Sequence, residues 1–246
     1  MDKALYIAMT GAKNNMMAQT ARANNLANAN TTGFKADFEQ ARAMPVFGES
    51  FPTRVYSLSE RPATDMSSGA FIETGRSLDL AIQGDGWIAV ESSLGDEAYT
   101  RSGELMIDAS GVLRTGKGLP VMGEGGPIVV PPAQHVEIGV DGVITIQPQG
   151  AGPNEVAQID RIKLVNPDKQ ELEKGLDGLM RQRNGEPADA DGFVRVESGF
   201  LEASNVNAAA ELINILSLTR QYEMQTKMMK TVDENSASAA SVMRMR

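Results

Sequence analysis

The chain's single histidine, His135, is the first residue whose side chain could act as a general base. A histidine-based hydrolase also needs a nucleophile and a group that orients the imidazole ring. His135 lies just after Pro131 and Pro132, a context typical of a surface turn, and no G-x-S-x-G nucleophile motif occurs. The lack of cysteine excludes thiol nucleophiles, thiolate zinc sites and disulfides. We therefore predict no catalytic residue and expect that the protein is not an enzyme.

Residues 111–117 fit the phosphate-loop pattern G-x-x-x-x-G-K. A phosphate loop continues with a Ser or Thr that binds magnesium, and then with a helix whose first amides face the phosphates. Here Gly118 follows the lysine, and the next three residues, L-P-V, are typical of a strand. This context predicts a hairpin turn and no nucleotide cofactor.

Acidic residues at 189–192 (D-A-D-G) resemble part of a calcium-binding loop. The bidentate glutamate that such a loop needs later does not occur at that spacing. A polar turn is the better interpretation of this segment. We predict no metal site and no cofactor.

Charge is unevenly distributed along the chain. The formal net charge is −9, yet residues 1–35 carry four basic side chains and one acidic one. Residues 36–203 carry 27 acidic and 14 basic side chains. Phosphate binding needs clustered Lys and Arg, so this acidic body argues against nucleic acid as a partner.

The sequence lacks two kinds of apolar segment. No stretch reaches the roughly 18 apolar residues of a membrane span. The first residues do not form the apolar region of a secretory signal peptide, because Thr10, Lys13 and Asn14 interrupt it. If the protein leaves the cytoplasm, we expect export without an ordinary cleaved signal peptide.

Residues 1–35 are predicted to form one helix followed by a stop signal. Side chains on one helix face recur at alternating steps of four and three positions, which is heptad spacing. The amide and small residues from Asn28 to Gly33 continue a helix poorly and end it. The heptad face comprises Leu5, Met9, Ala12, Met16, Gln19, Ala23 and Leu26.

The C-terminal segment 204–246 is predicted to form a second helix. It has neither Gly nor Pro, and Asn205 or Asn207 is a suitable N-cap. We expect about 25 to 35 helical residues, ending before the small-residue tail at 236–241. Heptad spacing recurs here in Leu212, Ile215, Thr219, Tyr222, Thr226 and Met229, with Leu216 widening the stripe.

Between the helices, residues 36–75 are predicted to be an extended connector with one or two short strands. In residues 76–203, short apolar runs alternate with D-G, S-G and G-G pairs, which are hairpin signals. The predicted fold class is therefore α+β: a mostly β central domain with long N- and C-terminal α-helices that pair as a coiled-coil-like assembly domain. The predicted divisions are 1–35, 36–75, 76–203 and 204–246.

Two paired helices cannot bury a full core, so each keeps an apolar edge. Methionines, which adapt to irregular surfaces, occur in both helices and suit such an edge. Spare apolar surface favours self-assembly or co-assembly. The alternative is a closed globular protein in which both helices pack on the β domain.

Several motifs together resemble the bacterial flagellar basal-body rod protein family. Residues 23–35 (ANNLANANTTGFK) and 198–212 (SGFLEASNVNAAAEL) are similar to the N- and C-terminal signatures of rod and hook proteins. Residues 78–90 (LDLAIQGDGWIAV) and 99–105 (YTRSGEL) resemble the core of the rod members. The opening M-D-K-A and the segment G-E-G-G-P-I-V-V-P are most similar to the proximal-rod member.

The resemblance implies a structural subunit of the proximal rod that polymerises through its terminal helices and transmits motor torque to hook and filament. It implies other flagellar rod subunits, proximal and distal, and the flagellar export apparatus as partners, with no small-molecule substrate. It also implies a periplasmic place in the basal body, reached without a cleaved signal peptide. The alternatives are a distal-rod or hook-type axial subunit, and a globular β-domain binding protein with oligomerising helices.

Two sets of residues are candidate sites under this resemblance, although each residue could instead pack only within its own chain. The assembly seam is predicted to contact neighbouring subunits and comprises Leu5, Met9, Ala12, Met16, Leu26, Leu212, Ile215, Leu216, Tyr222 and Met229. The exit motif is predicted to direct the chain out of the first helix and comprises Asn24, Asn25, Asn28, Gly33 and Phe34.

Overall fold

The chain forms two compact units in a computed structural model, which describes residues 4–38, 41–45, 55–59, 63–150 and 155–244. The helical unit takes its residues from Met1–Ala29, Ala36–Asp65 and Val206–Arg246, and the β unit from Asn30–Lys35 and Met66–Asn205. The short segment 30–35 therefore belongs to the β unit, although the chain before it and after it belongs to the helical unit.

Two helices pair in the helical unit, α1 (Ala4–Ala27) and α2 (Ala208–Arg244). Arg22, near the end of α1, bonds to Glu211 at the start of α2. Gly11, nearer the start of α1, packs on Gln225 further along α2. The helices are therefore antiparallel. The prediction that two terminal helices pair with each other, with a mostly β region between them in sequence, is confirmed.

The two ends of α2 match the sequence predictions differently. Asn207, one of the two predicted N-caps, accepts hydrogen bonds through its side-chain oxygen from the backbone amides of Ala209 and Ala210, both at 3.1 Å. The predicted end before residues 236–241 is wrong, since α2 continues to Arg244. This Ser- and Ala-rich segment holds no Gly or Pro, and alanine is the strongest helix former. Neither described helix is long and apolar enough to cross a lipid bilayer.

The described residues contain eighteen short strands, and their pairings are antiparallel. In chain order they are β1 (Asp37–Phe38), β2 (Ala41–Pro45), β3 (Val55–Ser59), β4 (Ala63–Thr64), β5 (Phe71–Glu73), β6 (Leu80–Gln83), β7 (Trp87–Glu91), β8 (Glu97–Thr100), β9 (Leu105–Ile107), β10 (Leu113–Thr115), β11 (Ala133–Ile138), β12 (Val143–Pro148), β13 (Ala157–Arg161), β14 (Leu164–Val165), β15 (Leu172–Lys174), β16 (Met180–Gln182), β17 (Arg195–Ser198) and β18 (Phe200–Glu202).

Four of these strands lie in the helical unit. β1 pairs with β4, β2 pairs with β3, and both β1 and β3 lie beside α1. With β5, the predicted connector 36–75 thus holds five strands, more than the one or two expected. Backbone N–H and C=O groups need hydrogen-bond partners where they are buried. These short strand pairings supply such partners without a regular hydrophobic pattern in the sequence.

The β unit contains one five-stranded sheet, with strand order β14-β7-β8-β16-β15, and one three-stranded sheet, β11-β12-β13. Three further pairs, β9–β10, β6–β17 and β5–β18, complete it. β7 explains how the core is built: Ile88 and Val90 enter the main core cluster, while Trp87 and Ala89 enter a second cluster on the opposite face. Because both faces are covered, the first four residues of this strand, 87–90, are all apolar and do not alternate with polar ones.

Two apolar runs of the β unit do not form single continuous strands. Residues 159–165 divide between β13 and β14, because the amides of Ile162 and Lys163 bond to the carbonyls of Gly142 and Met122. Residues 127–130 form only isolated bridges. The surface turn predicted at His135 is wrong. His135 lies in β11 and not in a turn, with an exposed side chain.

Candidate assembly site

The contact between α1 and α2 includes several small and polar side chains. Ala8 and Ala12 are buried on α1, and Gly11 leaves room for the side chain of Gln225. A Cβ at position 11 would lie 2.7 Å from Nε2 of Gln225. Further along, Gln19 donates a hydrogen bond to Thr219 at 3.3 Å. Small residues let the helices approach closely, but they bury little apolar area.

One ion pair fixes the other end of this contact. Arg22 donates to Oε1 of Glu211 at 2.9 Å, and Glu211 is buried. The amide of Asn25 also approaches this carboxylate oxygen, at 3.4 Å. A buried charge is tolerated only when it is paired, so this contact sets the register of the two helices.

Both helices carry exposed apolar side chains among polar ones. On α1, Tyr6, Met9, Met16 and Met17 are all exposed, and Met16 exposes 63% of its surface. On α2, the exposed large apolar side chains are Leu212, Ile213, Leu216, Tyr222, Met224, Met228, Val242 and Met243. Burying one such side chain fully stabilises a contact by about 1.5–3 kcal/mol. Apolar rows of this size mark interaction surfaces.

The structure distributes the predicted assembly seam among three environments. Ala12 is buried, and the half-buried members are Leu5, Leu26, Ile215 and Met229. The exposed members are Met9, Met16, Leu212, Leu216 and Tyr222. The heptad pattern did not separate the face that packs inside the chain from the face left open, because both carry residues at three- and four-residue spacing.

The exit motif begins with amide side chains at the end of α1. Asn25 is fully buried, and its side chain forms two hydrogen bonds of 2.9 Å with the backbone N–H and C=O of Asp37. This side chain thus bonds both backbone groups of Asp37, as a neighbouring strand would, and fixes the start of β1 against the end of α1. Asn28 donates through its side chain to the carbonyl of Asn24 at 2.9 Å and so closes the last turn.

The exit motif continues with segment 30–35, inside the β unit. Gly33 has a φ of 67°, and a Cβ there would lie 2.3 Å from the backbone of Arg101 and Ser102. Only glycine fits this conformation and this close approach. The Phe34 ring packs against Nζ of Lys174 at 4.0 Å, a cation–π contact.

A buried charge cluster lies beside this segment, and sequence reasoning missed it. Nζ of Lys35 lies 2.6 Å from Oε1 of Glu202, and Arg101 lies 3.0 Å from Oε2 of the same carboxylate. The side chains of both basic residues are 3% exposed, and that of Glu202 is 0% exposed. Arg101 also donates to the carbonyl of Gly84 at 2.7 Å and stacks over Trp87. One signal could have found the cluster: each member is a charged residue within one of the segments 23–35, 99–105 and 198–212.

The residues considered for chemistry are placed as follows. His135 lies 3.1 Å from Glu137 on the surface. Residues 113–115 form β10, and Gly118 closes a turn onto Thr115, so the predicted hairpin turn at the G-x-x-x-x-G-K segment is confirmed. In the part of the chain that the structure describes, no three His, Asp or Glu side chains are grouped to hold a metal ion.

Comparison with protein-family models finds three matches along the chain. Residues 5–35 match the model described as "Flagella basal body rod protein". Residues 81–146 match "Flagellar hook protein FlgE/F/G D1 domain". Residues 197–242 match "Flagellar basal body rod FlgEFG protein C-terminal". The first match contains most of α1, and the third contains most of α2.

Full-length relatives are also found. The flagellar basal-body rod protein FlgF of Escherichia coli K12 is 41% identical over all of both chains, and that of Salmonella typhimurium LT2 is 40% identical over all of both chains. The flagellar basal-body rod protein FlgG of Bacillus subtilis 168 is 31% identical, over 94% of this chain and 96% of its own.

Proposed function

Since the chain belongs to the family of flagellar basal-body rod proteins, we propose that it builds the proximal part of the rod by polymerising through its terminal helices. It is a structural subunit of the rod, and its family is a structural and not an enzymatic class. The proximal position is supported by the identity to the FlgF proteins of Escherichia coli and Salmonella typhimurium, 41% and 40%, which exceeds the 31% identity to the FlgG protein of Bacillus subtilis.

The observation that carries the polymerisation proposal is that the two helices use different side chains for contacts within the chain and on the exposed surface. Small and polar side chains hold α1 and α2 in register within the chain. The larger apolar side chains, such as Met16 and Leu216, remain exposed. We propose that neighbouring rod subunits cover these outward faces, and that many such contacts together resist shear and transmit torque. No single side chain performs chemistry in this mechanism.

The remaining parts of the proposal concern delivery and place. The subunit travels through the flagellar export apparatus without cleavage of a signal peptide and joins the periplasmic part of the basal body. This part of the proposal rests on membership of the flagellar basal-body rod protein family.

An assembly test uses Leu216→Asp in cells that lack the native copy. A charge on the outward face of α2 prevents burial against a neighbour, so we expect loss of rods in purified basal bodies and loss of swimming. Leu94→Asp is the matched control, since Leu94 is exposed in a turn of the β unit. Normal rods with Leu216→Asp, at normal protein level, would contradict the proposal.

A complementation test separates the proximal from the distal or hook-type role. We expect the unaltered chain to restore motility in an Escherichia coli strain without FlgF and not in one without FlgG. Restoration of only the strain without FlgG would favour the distal role. This experiment is independent of the helix substitutions.

A further inference from the structure

The chain passes between the helical unit and the β unit four times, after residues 29, 35, 65 and 205. On the β-unit side, these passages are flanked by three stretches: 30–35, 66–70 and 200–205. They are far apart in sequence, yet they are bonded to one another within the β unit.

Side chains make the first set of these bonds. Nζ of Lys35 donates to the carbonyl of Ser67 at 2.8 Å and to Glu202 at 2.6 Å, so one ammonium group joins all three stretches. The side-chain amide of Asn205 donates to the same Ser67 carbonyl at 3.2 Å. Arg101, which directly follows β8, donates to the other carboxylate oxygen of Glu202 at 3.0 Å.

Backbone groups make the second set. The amide of Gly33 donates to the carbonyl of Glu202 at 2.7 Å, and that of Ala203 donates to Ala70 at 2.8 Å. The amide of Gly69 donates to the Glu202 carboxylate at 2.9 Å. A Cβ at Gly69 would lie 2.0 Å from the carbonyl oxygen of Ala203, so these stretches touch backbone to backbone.

We infer that Lys35, Arg101 and Glu202 form a clamp that makes the three stretches one mechanical piece, so that force entering through any of them is shared by the others. This inference rests on the proposed function in a rod under torque. A buried, paired charge suits the task because its interaction energy depends steeply on the distance between the charged groups. Each stretch would otherwise be a short segment held by a few hydrogen bonds.

The test measures hydrogen exchange of individual backbone amides in the full chain. Three reporter amides, one in each stretch, are those of Gly33, Gly69 and Ala203. In Lys35→Met, Glu202 keeps its partner Arg101, yet the bond that joins the stretches is lost. We expect exchange at all three reporters to rise together, by at least about tenfold, while amides of the three-stranded sheet keep their rates.

The matched control is Lys169→Met, which makes the same chemical change as Lys35→Met and breaks the exposed ion pair between Lys169 and Asp85 at 2.8 Å. It should leave the three reporters unchanged. A rise in Lys35→Met confined to Gly33 would overturn the inference, because the stretches would then open separately. If amide exchange in Lys35→Met rises uniformly throughout the β unit, a second variant, Asn205→Ala, distinguishes the outcomes. A rise in exchange rate shared by the amides of Gly69 and Ala203 supports the clamp, and a rise at Ala203 alone overturns it.

A cell experiment separates this inference from the proposed function. With Lys35→Met as the only copy, we expect normal numbers of rods and a loss of swimming speed that grows with the viscosity of the medium. Speed equal to that of the unaltered protein at every viscosity would overturn the force-sharing role. The proposed function itself stands or falls with the Leu216→Asp experiment, in which rods are counted.

Discussion

The β unit and the helical unit use their hydrophobic side chains in opposite ways. In the β unit, Ile88, Leu105 and Ile144 are completely buried in its own core. In the helical unit, alanine and polar groups are buried, whereas several large apolar side chains, such as Met16 and Leu216, are exposed. The β unit thus has its own apolar core, and the helical unit leaves apolar side chains exposed that we propose are buried against other molecules.

The largest expected effect is the loss of a core methionine from the β unit. Met180→Ala removes a side chain that is 2% exposed and packs in the second core cluster with Trp87 and Tyr99. We expect a loss of about 2–5 kcal/mol in the free energy of unfolding. Denaturant titration followed by fluorescence of Trp87, the only tryptophan, measures it. A loss near zero would show that this cluster is not close-packed.

The next effect concerns the close approach of segment 30–35. Gly33→Ala places a methyl group in a left-handed backbone conformation and 2.3 Å from the backbone of Arg101. We expect a loss of about 2–3 kcal/mol in β-unit stability from strain and displacement. The same fluorescence titration measures it. Gly118→Ala serves as the control, because its φ is also positive but no atom lies within 4 Å of the added methyl.

A smaller effect depends on pH. Hydrogen bonds from Arg181 and then Ser92 lower the pKa of Asp96 to about 2. Since this folded-state pKa is below the unfolded value of about 3.9, the ionised carboxylate stabilises the β unit above pH 4. That contribution is lost as pH falls toward 2. We expect the Tm difference between the unaltered chain and Asp96→Asn to shrink over this range, and a constant difference would contradict the assignment.

The smallest effect is expected for an outward methionine of α1. Met16→Ala makes the same chemical change as Met180→Ala, but at a side chain that is 63% exposed. We expect less than about 0.5 kcal/mol of change in the stability of the isolated chain, measured by far-UV circular dichroism. Rod assembly in cells should nevertheless weaken. A large loss in the isolated chain would mean that α1 buries this face within its own chain.

The sequence predicts the elements better than it predicts their contacts. Unbroken heptad spacing in residues 204–229 indicates α2, and the turn pairs between apolar runs indicate the hairpins of the β unit. Heptad spacing leaves the direction of each face open, so the buried line through Ala8 was not separable from the exposed row through Met9. One or two strands were predicted in residues 36–75, and the others were missed because they pair without an apolar period.

The buried charge cluster could not be predicted from the sequence pattern for another reason. Lys35, Arg101 and Glu202 are each separated by more than sixty residues, and charged residues are ordinarily exposed. Only the folded chain brings the three together. Their positions inside recognisable motifs were the one available sign, and that sign carries no information about which charges pair.

The methionine- and leucine-rich outward face also has a consequence for temperature. Burial of apolar surface lowers the heat capacity, and its driving force near 25 °C is almost entirely entropic. Contacts made through Met16, Leu212 and Leu216 should therefore weaken on cooling, while the ion pairs inside each chain persist. Assembly through this face should show a negative heat-capacity change in calorimetry, so that cold becomes a mild way to take subunits apart without unfolding them.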